Sequence, residues 1–240
     1  MTLWQFYHPH LVPDADQIHV FKTQFSEFSV SLEKLSATLG LNEQKRLQGI
    51  RSTTAKTRFV ISRGVVRHLL SRVLCLPPQK IVIDIGSHGK PALSFPPSSP
   101  WRFNLSHSGD VLLVAISRNL EMGIDVERVR PLKNREALVS RYFCRDEIIQ
   151  LNKIPLHQRD EVFFQLWTKK EACLKMTGQG ISGDLRCMPV LDEQYYCESF
   201  VVQQDYVASL CASASRVPII FWNIRGGVNI LSEMMPGLVT

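Results

Sequence analysis

Asp125 and Glu127 stand one residue apart in the stretch GIDVE, with only Val126 between them. In a β-strand, residues i and i+2 project from the same face. The two carboxylates would therefore point together, while Ile124 and Val126 face the opposite side. Neighbouring carboxylates repel, and in a half-buried setting one of them resists ionisation. A divalent cation removes that conflict. An all-oxygen donor set suits Mg2+, which is commonly held by one or two carboxylates with phosphate oxygens and water. The competing reading is an exposed strand end whose carboxylates meet Arg128 or Arg130 in solvent.

A second group of chemical residues lies in FFQLWTKKEACLKMTGQG. Residues four apart share a helix face, which aligns Trp167, Glu171 and Lys175 and leaves Lys170 one step to the side. A carboxylate flanked by two lysines suits a site that holds both metal and phosphate. The lysines neutralise phosphate oxygens, and the glutamate ligates metal or takes a proton. The same spacing also describes a surface Glu–Lys pair that merely steadies the helix. NLSHS adds Ser106 and His107, the latter either a phosphate donor or a hydrogen-bonded loop histidine. No G-x-S-x-G frame surrounds Ser106, which excludes a hydrolase elbow. GKP places Lys90 on a glycine-containing loop, and the P-loop pattern is absent from the chain.

The elements that would carry these residues follow from periodicity. Residues 16–24 alternate like a strand, and residues 26–48 read as helix broken near Gly40. Residues 53–76 form a long helix stopped by Pro77 and Pro78. Its opposite face carries Arg51, Lys56, Arg58, Arg63, Arg67 and Arg72 and reads as solvated. Residues 80–86 read as a strand, 87–91 as a turn and 95–100 as a surface loop. NLSHS falls in a turn leading to a strand at 111–116, and GIDVERV is the next strand. Residues 135–142 and 145–151 are short helices. Residues 161–176 give the strongest helix, with Gly178 and Gly180 suited to its C-terminal cap. The tail is strand-like at 201–212 and 217–222. Helix and strand mixed in this way give an α/β or α+β class.

Composition narrows the partners. The formal charge of +6 and isoelectric point near 9.1 favour an anionic partner without choosing one. A nucleic-acid module would interleave aromatics among the basic residues, and the arginine-rich helix has only Phe59. None of the six cysteines forms a C-x-x-C pair, so they are expected to be free, mostly buried thiols in a reducing compartment. The N-terminus carries no secretory pattern, and the apolar runs fall short of the about 20 residues a membrane span needs. A cytoplasmic protein with no membrane association is expected.

GKP, FNLSHS, GIDVE and WTKKEACLK, in this order, resemble the signature of the 4′-phosphopantetheinyl transferases, and the length resembles the larger surfactin-type (Sfp-type) members. The resemblance implies two similar α/β subdomains about a pseudo-twofold axis, here residues 1–118 and 119–240, with the active site in the cleft between them. It implies transfer of phosphopantetheine from coenzyme A to a serine of an acidic acyl or peptidyl carrier protein, releasing adenosine 3′,5′-bisphosphate. Asp125, Glu127 and Glu171 match the family's Mg2+ ligands, with Mn2+ an alternative metal. Glu171 would also serve as base, Lys175 would act on the leaving phosphate, and Lys170 would contact the pyrophosphate. Ser106, His107 and Lys90 match coenzyme A contacts. Arg46 and Arg58 fall where the family binds the 3′-phosphate. The carrier would dock near residues 131–142, and the protein would be a monomer.

Overall fold

The computed structural model describes residues 2–8, 10–28, 32–86, 89–178 and 195–225. In chain order the elements are β1 (Trp4–Phe6), β2 (Ile18–Gln24), α1 (Leu32–Ser36), α2 (Leu41–Gly49), α3 (Thr53–Leu74), β3 (Val82–Ile85), β4 (Pro91–Phe95), β5 (Trp101–Ser108), β6 (Val111–Arg118) and β7 (Met122–Arg128). They continue as α4 (Arg135–Tyr142), α5 (Arg145–Lys153), α6 (Arg159–Thr177), β8 (Tyr196–Gln203), β9 (Tyr206–Ala212) and β10 (Ile219–Asn223). The strands form a five-stranded sheet ordered β1-β10-β2-β6-β5, a three-stranded sheet ordered β7-β9-β8, and the β3-β4 pair. The mixed α/β class read from periodicity is the class observed.

Alternation along the strands builds four layers. On β2, β5 and β6, Phe21, Phe103, Leu112, Val114 and Ile116 pack against the apolar stripe of α3. The opposite face of that sheet, with Ile18, Val20, Val111, Leu113 and Ala115, meets the three-stranded sheet. There Ile124 and Val126 of β7 join Ala208, Leu210 and Ala212 of β9 in one buried cluster. The far side of β7 and β9 is covered by α6. The order is thus α3, sheet, sheet, α6. Each half contributes a three-stranded antiparallel set, β2-β6-β5 or β7-β9-β8, and one long helix. The halves are not separate along the chain, because β10 lies parallel between β1 and β2 in the first half's sheet.

Both long helices are delimited by their termini. Ser52 caps α3 by accepting from the Ala55 amide, and Cys75 ends it in the left-handed region. Gly178, at φ 72°, ends α6 as expected, while Gly180 lies outside the described residues, as do Ser87 and His88 of the expected turn.

Three expectations are corrected. NLSHS is not a turn: it is the second half of β5, paired along its length with β6. The arginine face of α3 is not uniformly solvated. Arg67 is 1% exposed and donates to Glu43 (2.6 Å) and to the Pro78 and Ile81 carbonyls. Buried Arg63 also turns toward Glu43, 3.8 Å away. A carboxylate from α2 makes that burial tolerable. Finally, Cys75, Cys144 and Cys173 are free, but Cys197 and Cys211 form a disulfide because they stand directly opposite in the β8-β9 register. Cys187 lies outside the described residues. Among the described residues, no helix is long and apolar enough to cross a membrane.

Gly123, the first residue of GIDVE, lets α6 pack against β7. A Cβ there would fall 2.0 Å from the Ala172 carbonyl oxygen and 2.5 Å from the Met176 amide nitrogen. Gly123→Ala must therefore push the backbone of α6 away, at a cost of about 3 kcal/mol. Urea denaturation measures this, and wild-type stability in the variant would contradict the close approach.

Candidate active site

The site is built where an edge of one sheet meets an edge of the other. β5 ends the five-stranded sheet and β7 ends the three-stranded one. The outward amides of β7 have no strand beside them, and side chains of β5 accept from them instead. Asn104 Oδ1 accepts from the Ile124 amide (2.9 Å), and Ser106 Oγ from the Val126 amide (3.3 Å). The apolar side chains of β7 face the sandwich core, so Asp125 and Glu127 project to the other side, toward α6.

Asp125 is 6% exposed. Its Oδ1 accepts from Ser106 Oγ (2.8 Å) and from Lys175 Nζ (2.8 Å), and Lys175 also donates to the Ile124 carbonyl (3.1 Å). Its Oδ2 is buried without a hydrogen-bond partner among the described residues. Glu127 accepts from Ser108 Oγ (2.7 Å) and lies 3.7 Å from Arg130. Glu171, one helical turn before Lys175, is half-buried. Burial raises its pKa, and the negative charges of Asp125 and Glu127 raise it further against the opposing pull of Lys175. The three carboxylates thus sense one another, although their oxygens do not all lie within 4.8 Å of one another.

Asp125, Glu171 and Lys175 border a cavity of about 610 Å3, lined also by Arg63, Lys90, Ser106 and His107. Its two walls differ in charge. The β7 and α6 wall is anionic. The opposite wall carries Arg63, whose Nη1 is buried without a partner. His107 projects from the other face of β5 and meets the Phe25 ring at 5.7 Å. Burial, then the cations of Arg58 and Lys175, hold its pKa below the usual imidazole value. The Arg58 guanidinium lies over the same Phe25 ring (5.4 Å), and Arg46 lies over Phe59 (5.8 Å). Lys90 reaches the Met176 carbonyl (3.2 Å) and Glu121 (3.1 Å), fastening its loop to the end of α6.

Of the residues read from the sequence, Lys90, Ser106, His107, Asp125, Glu171 and Lys175 line the cavity, whereas Arg46, Arg58, Glu127 and Lys170 are not among its lining residues. Lys170 is 1% exposed and faces away from the cavity, pairing with Glu147 of α5 (2.9 Å) beneath the Phe143 ring. A shift of one residue along α6 turns a side chain by about 100°, which carries Lys170 into the α4–α5 packing. Trp167 packs there too, stacked on Phe163 and edge-on to Tyr142. Arg63 is the cavity residue whose place sequence reasoning missed. Its signal, an arginine on the basic side of α3, was present but looked solvated.

The residues fit a hard divalent cation. Asp125 offers an oxygen that the fold leaves unpaired, and Glu171 is a carboxylate held out of solvent beside two others. Such a group of oxygen donors suits Mg2+ or Mn2+. On the opposite wall, the unpaired donor of Arg63 suits an anion. The cavity can therefore take a ligand that brings phosphate oxygens and a cation together.

Comparison with known proteins agrees with this chemistry. Residues 121–211 match the 4′-phosphopantetheinyl transferase superfamily, and residues 23–119 match a 4′-phosphopantetheinyl transferase N-terminal family. The 4′-phosphopantetheinyl transferase HetI of Nostoc sp. is 35% identical over 175 residues, spanning 72% of this chain and 74% of the relative. The 4′-phosphopantetheinyl transferase psf-1 of Bacillus pumilus is 32% identical over 151 residues, 63% of each chain. A solved holo-(acyl-carrier-protein) synthase from Bacillus anthracis covers 42% of this chain and 93% of its own, at 19% identity and a TM-score of 0.37.

Two outcomes follow from this geometry. Lys170→Ala leaves the half-buried Glu147 with only the Cys144 amide as partner among the described residues, so chemical denaturation should show a loss of about 2 kcal/mol; an inactive variant of full stability would return Lys170 to the site. Glu171→Gln should raise the melting temperature of the ligand-free protein at neutral pH. The pKa of Glu171 is raised on folding, so this carboxyl weakens the fold as pH climbs through that raised value. The gain of the glutamine variant should fade as pH falls and Glu171 protonates. A melting temperature unchanged by the substitution at every pH contradicts the repulsion.

Proposed function

The chain belongs to the 4′-phosphopantetheinyl transferase superfamily, and we propose on that footing that it moves phosphopantetheine from coenzyme A to a serine hydroxyl of a carrier protein. The observation that carries this reading is that Asp125 and Arg63, which line one cavity, each hold a buried polar atom (Oδ2 and Nη1) without a hydrogen-bond partner among the described residues. A metal-bound pyrophosphate answers both.

The serine oxygen attacks the phosphorus next to pantetheine, and adenosine 3′,5′-bisphosphate leaves. Asp125, Glu127 and Glu171 would hold Mg2+, or Mn2+ in its place, which offsets charge on the pyrophosphate oxygens. Glu171 takes the serine proton, directly or through a water; its raised pKa brings it nearer to neutral pH, where a general base works best. Lys175 rests on Asp125 in the ligand-free protein. Turned to the leaving phosphate, the same ammonium would stabilise the charge that builds there. Lys90 and Ser106 lie where they can orient the nucleotide. His107, Arg58 and Arg46 would receive the 3′-phosphate. In the ligand-free protein, burial and the cations of Arg58 and Lys175 disfavour the His107 imidazolium. Lys170 acts only through packing.

The remaining features of the proposal follow from charge and architecture. A +6 enzyme attracts an acidic carrier and speeds encounter more than it deepens affinity. Residues 131–142, which follow directly on the strand carrying Glu127, are the proposed docking segment. The protein works as a cytoplasmic monomer with functional halves of residues 1–118 and 119–240, the second of which returns β10 to the first half's sheet.

Intact-protein mass spectrometry of an apo acyl carrier protein, incubated with the enzyme, coenzyme A and Mg2+, tests the reading. One added phosphopantetheine, absent with EDTA, is expected. Asp125→Ala should slow the modification on the order of 1,000-fold while circular dichroism stays unchanged. Modification that proceeds equally well in EDTA would sink the metal assignment, and absence of coenzyme A binding would sink the whole reading.

A further inference from the structure

Ser108 has no part in the chemistry above, yet it repeats the bonding of Ser106 two residues further along β5. Ser106 Oγ donates to Asp125 Oδ1 (2.8 Å) and accepts from the Val126 amide (3.3 Å). Ser108 Oγ donates to Glu127 Oε2 (2.7 Å) and accepts from the Arg128 amide (3.1 Å). The two hydroxyls therefore form the same unit twice, each bracketing one carboxylate of GIDVE and the amide that follows it.

The direction of these bonds is dictated by inventory. A hydroxyl has one proton and two lone pairs. β7 is an edge strand whose partner is β9 alone, so the amides of Val126 and Arg128 must donate outward into those lone pairs. The single hydroxyl proton is then left for the carboxylate. One oxygen of the accepting carboxylate is thereby committed to a fixed line from the strand. The other oxygen is free to ligate.

Glu127 has a cationic neighbour at the same oxygen that Ser108 holds. Arg130 Nη1 stands 3.7 Å from Glu127 Oε2, and both side chains reach solvent, with 55% of the arginine side chain exposed. Among the described residues, the Ser108 hydroxyl is the one hydrogen bond that opposes its collapse onto this guanidinium. We propose that Ser108 is a positioning residue for the cation site: its hydroxyl anchors Glu127 against the β5–β7 seam and keeps its carboxylate from being spent on Arg130. This inference rests on the reading of Asp125 and Glu127 as cation ligands.

The test is direct Mn2+ binding, read by electron paramagnetic resonance on the full-length protein with coenzyme A present. Ser108→Ala should weaken Mn2+ binding on the order of tenfold, the worth of one hydrogen bond to a charged group. Ser108→Thr keeps the hydroxyl and should bind as the wild type does. Adding Arg130→Ala to Ser108→Ala should recover part of the loss, because the competitor is gone. Wild-type Mn2+ affinity in Ser108→Ala overturns the proposal. So does a threonine variant as weak as the alanine variant, since that would assign Ser108 to packing alone. Should Ser108→Ala fail to fold, Arg130→Ala alone decides: tighter Mn2+ binding supports the competition, and weaker binding overturns it. Asp125→Asn separates the two levels. If it binds Mn2+ normally, the ligand reading itself fails; if it loses binding while Ser108→Ala does not, only the role of Ser108 fails.

Discussion

Asp125 carries one oxygen that the fold buries and does not satisfy, and the surrounding structure is arranged around that deficit. An unpaired carboxylate oxygen in a buried setting is costly. It persists here because three elements hold Asp125 in place at once. Alternation puts it on the α6 side of β7, with Ile124 and Val126 locked in the inter-sheet core. Ser106 fixes its other oxygen from β5, and Lys175 adds a second donor from α6. None of these could act without Gly123, which lets the backbone of α6 lie against β7. Sequence, layer order and site are therefore one chain of causes.

The cavity opposite Asp125 is polarised across its width. β7 and α6 bring carboxylates, whereas α3 brings Arg63. Arg63 can be buried at this wall because Glu43 of α2 lies nearby, and Glu43 is in turn held by the buried Arg67. That ion network belongs to the first half of the chain, and the carboxylates belong to the second. The ligand chemistry is thus divided between the halves, and the β5–β7 seam that joins them sets the distance across which a pyrophosphate and its metal must fit. A phosphate placed there meets fixed cations on one side and, on the other, a lysine already poised on its carboxylate.

Much of this was legible. Periodicity located β2, β7, α3 and α6 to within a few residues, and GIDVE announced both its strand and the side on which its carboxylates lie. β5 was not legible, because Asn104, Ser106 and Ser108 occupy inward positions where apolar residues are expected. Their types signal a turn, and only the neighbouring edge of β7 explains them. Arg63 and Arg67 looked solvated because their carboxylate partner sits 20 or more positions earlier on another helix. Lys170 and Lys175 both bracket Glu171 in sequence, but helical spacing alone does not say which neighbour faces the cavity and which the α5 packing. The disulfide depended on register between β8 and β9, which no spacing of cysteines reveals.

The most direct measurement is an anomalous difference map at the manganese edge, from crystals grown with Mn2+ and coenzyme A. A single peak within ligand distance of Asp125 Oδ2, flanked by Glu171 and Glu127, with the pyrophosphate between it and the α3 wall, is the expected result. A bound coenzyme A with no peak at Asp125, or a metal held elsewhere while Oδ2 stays unpaired, would contradict the assignment of this carboxylate as the group around which the site is built.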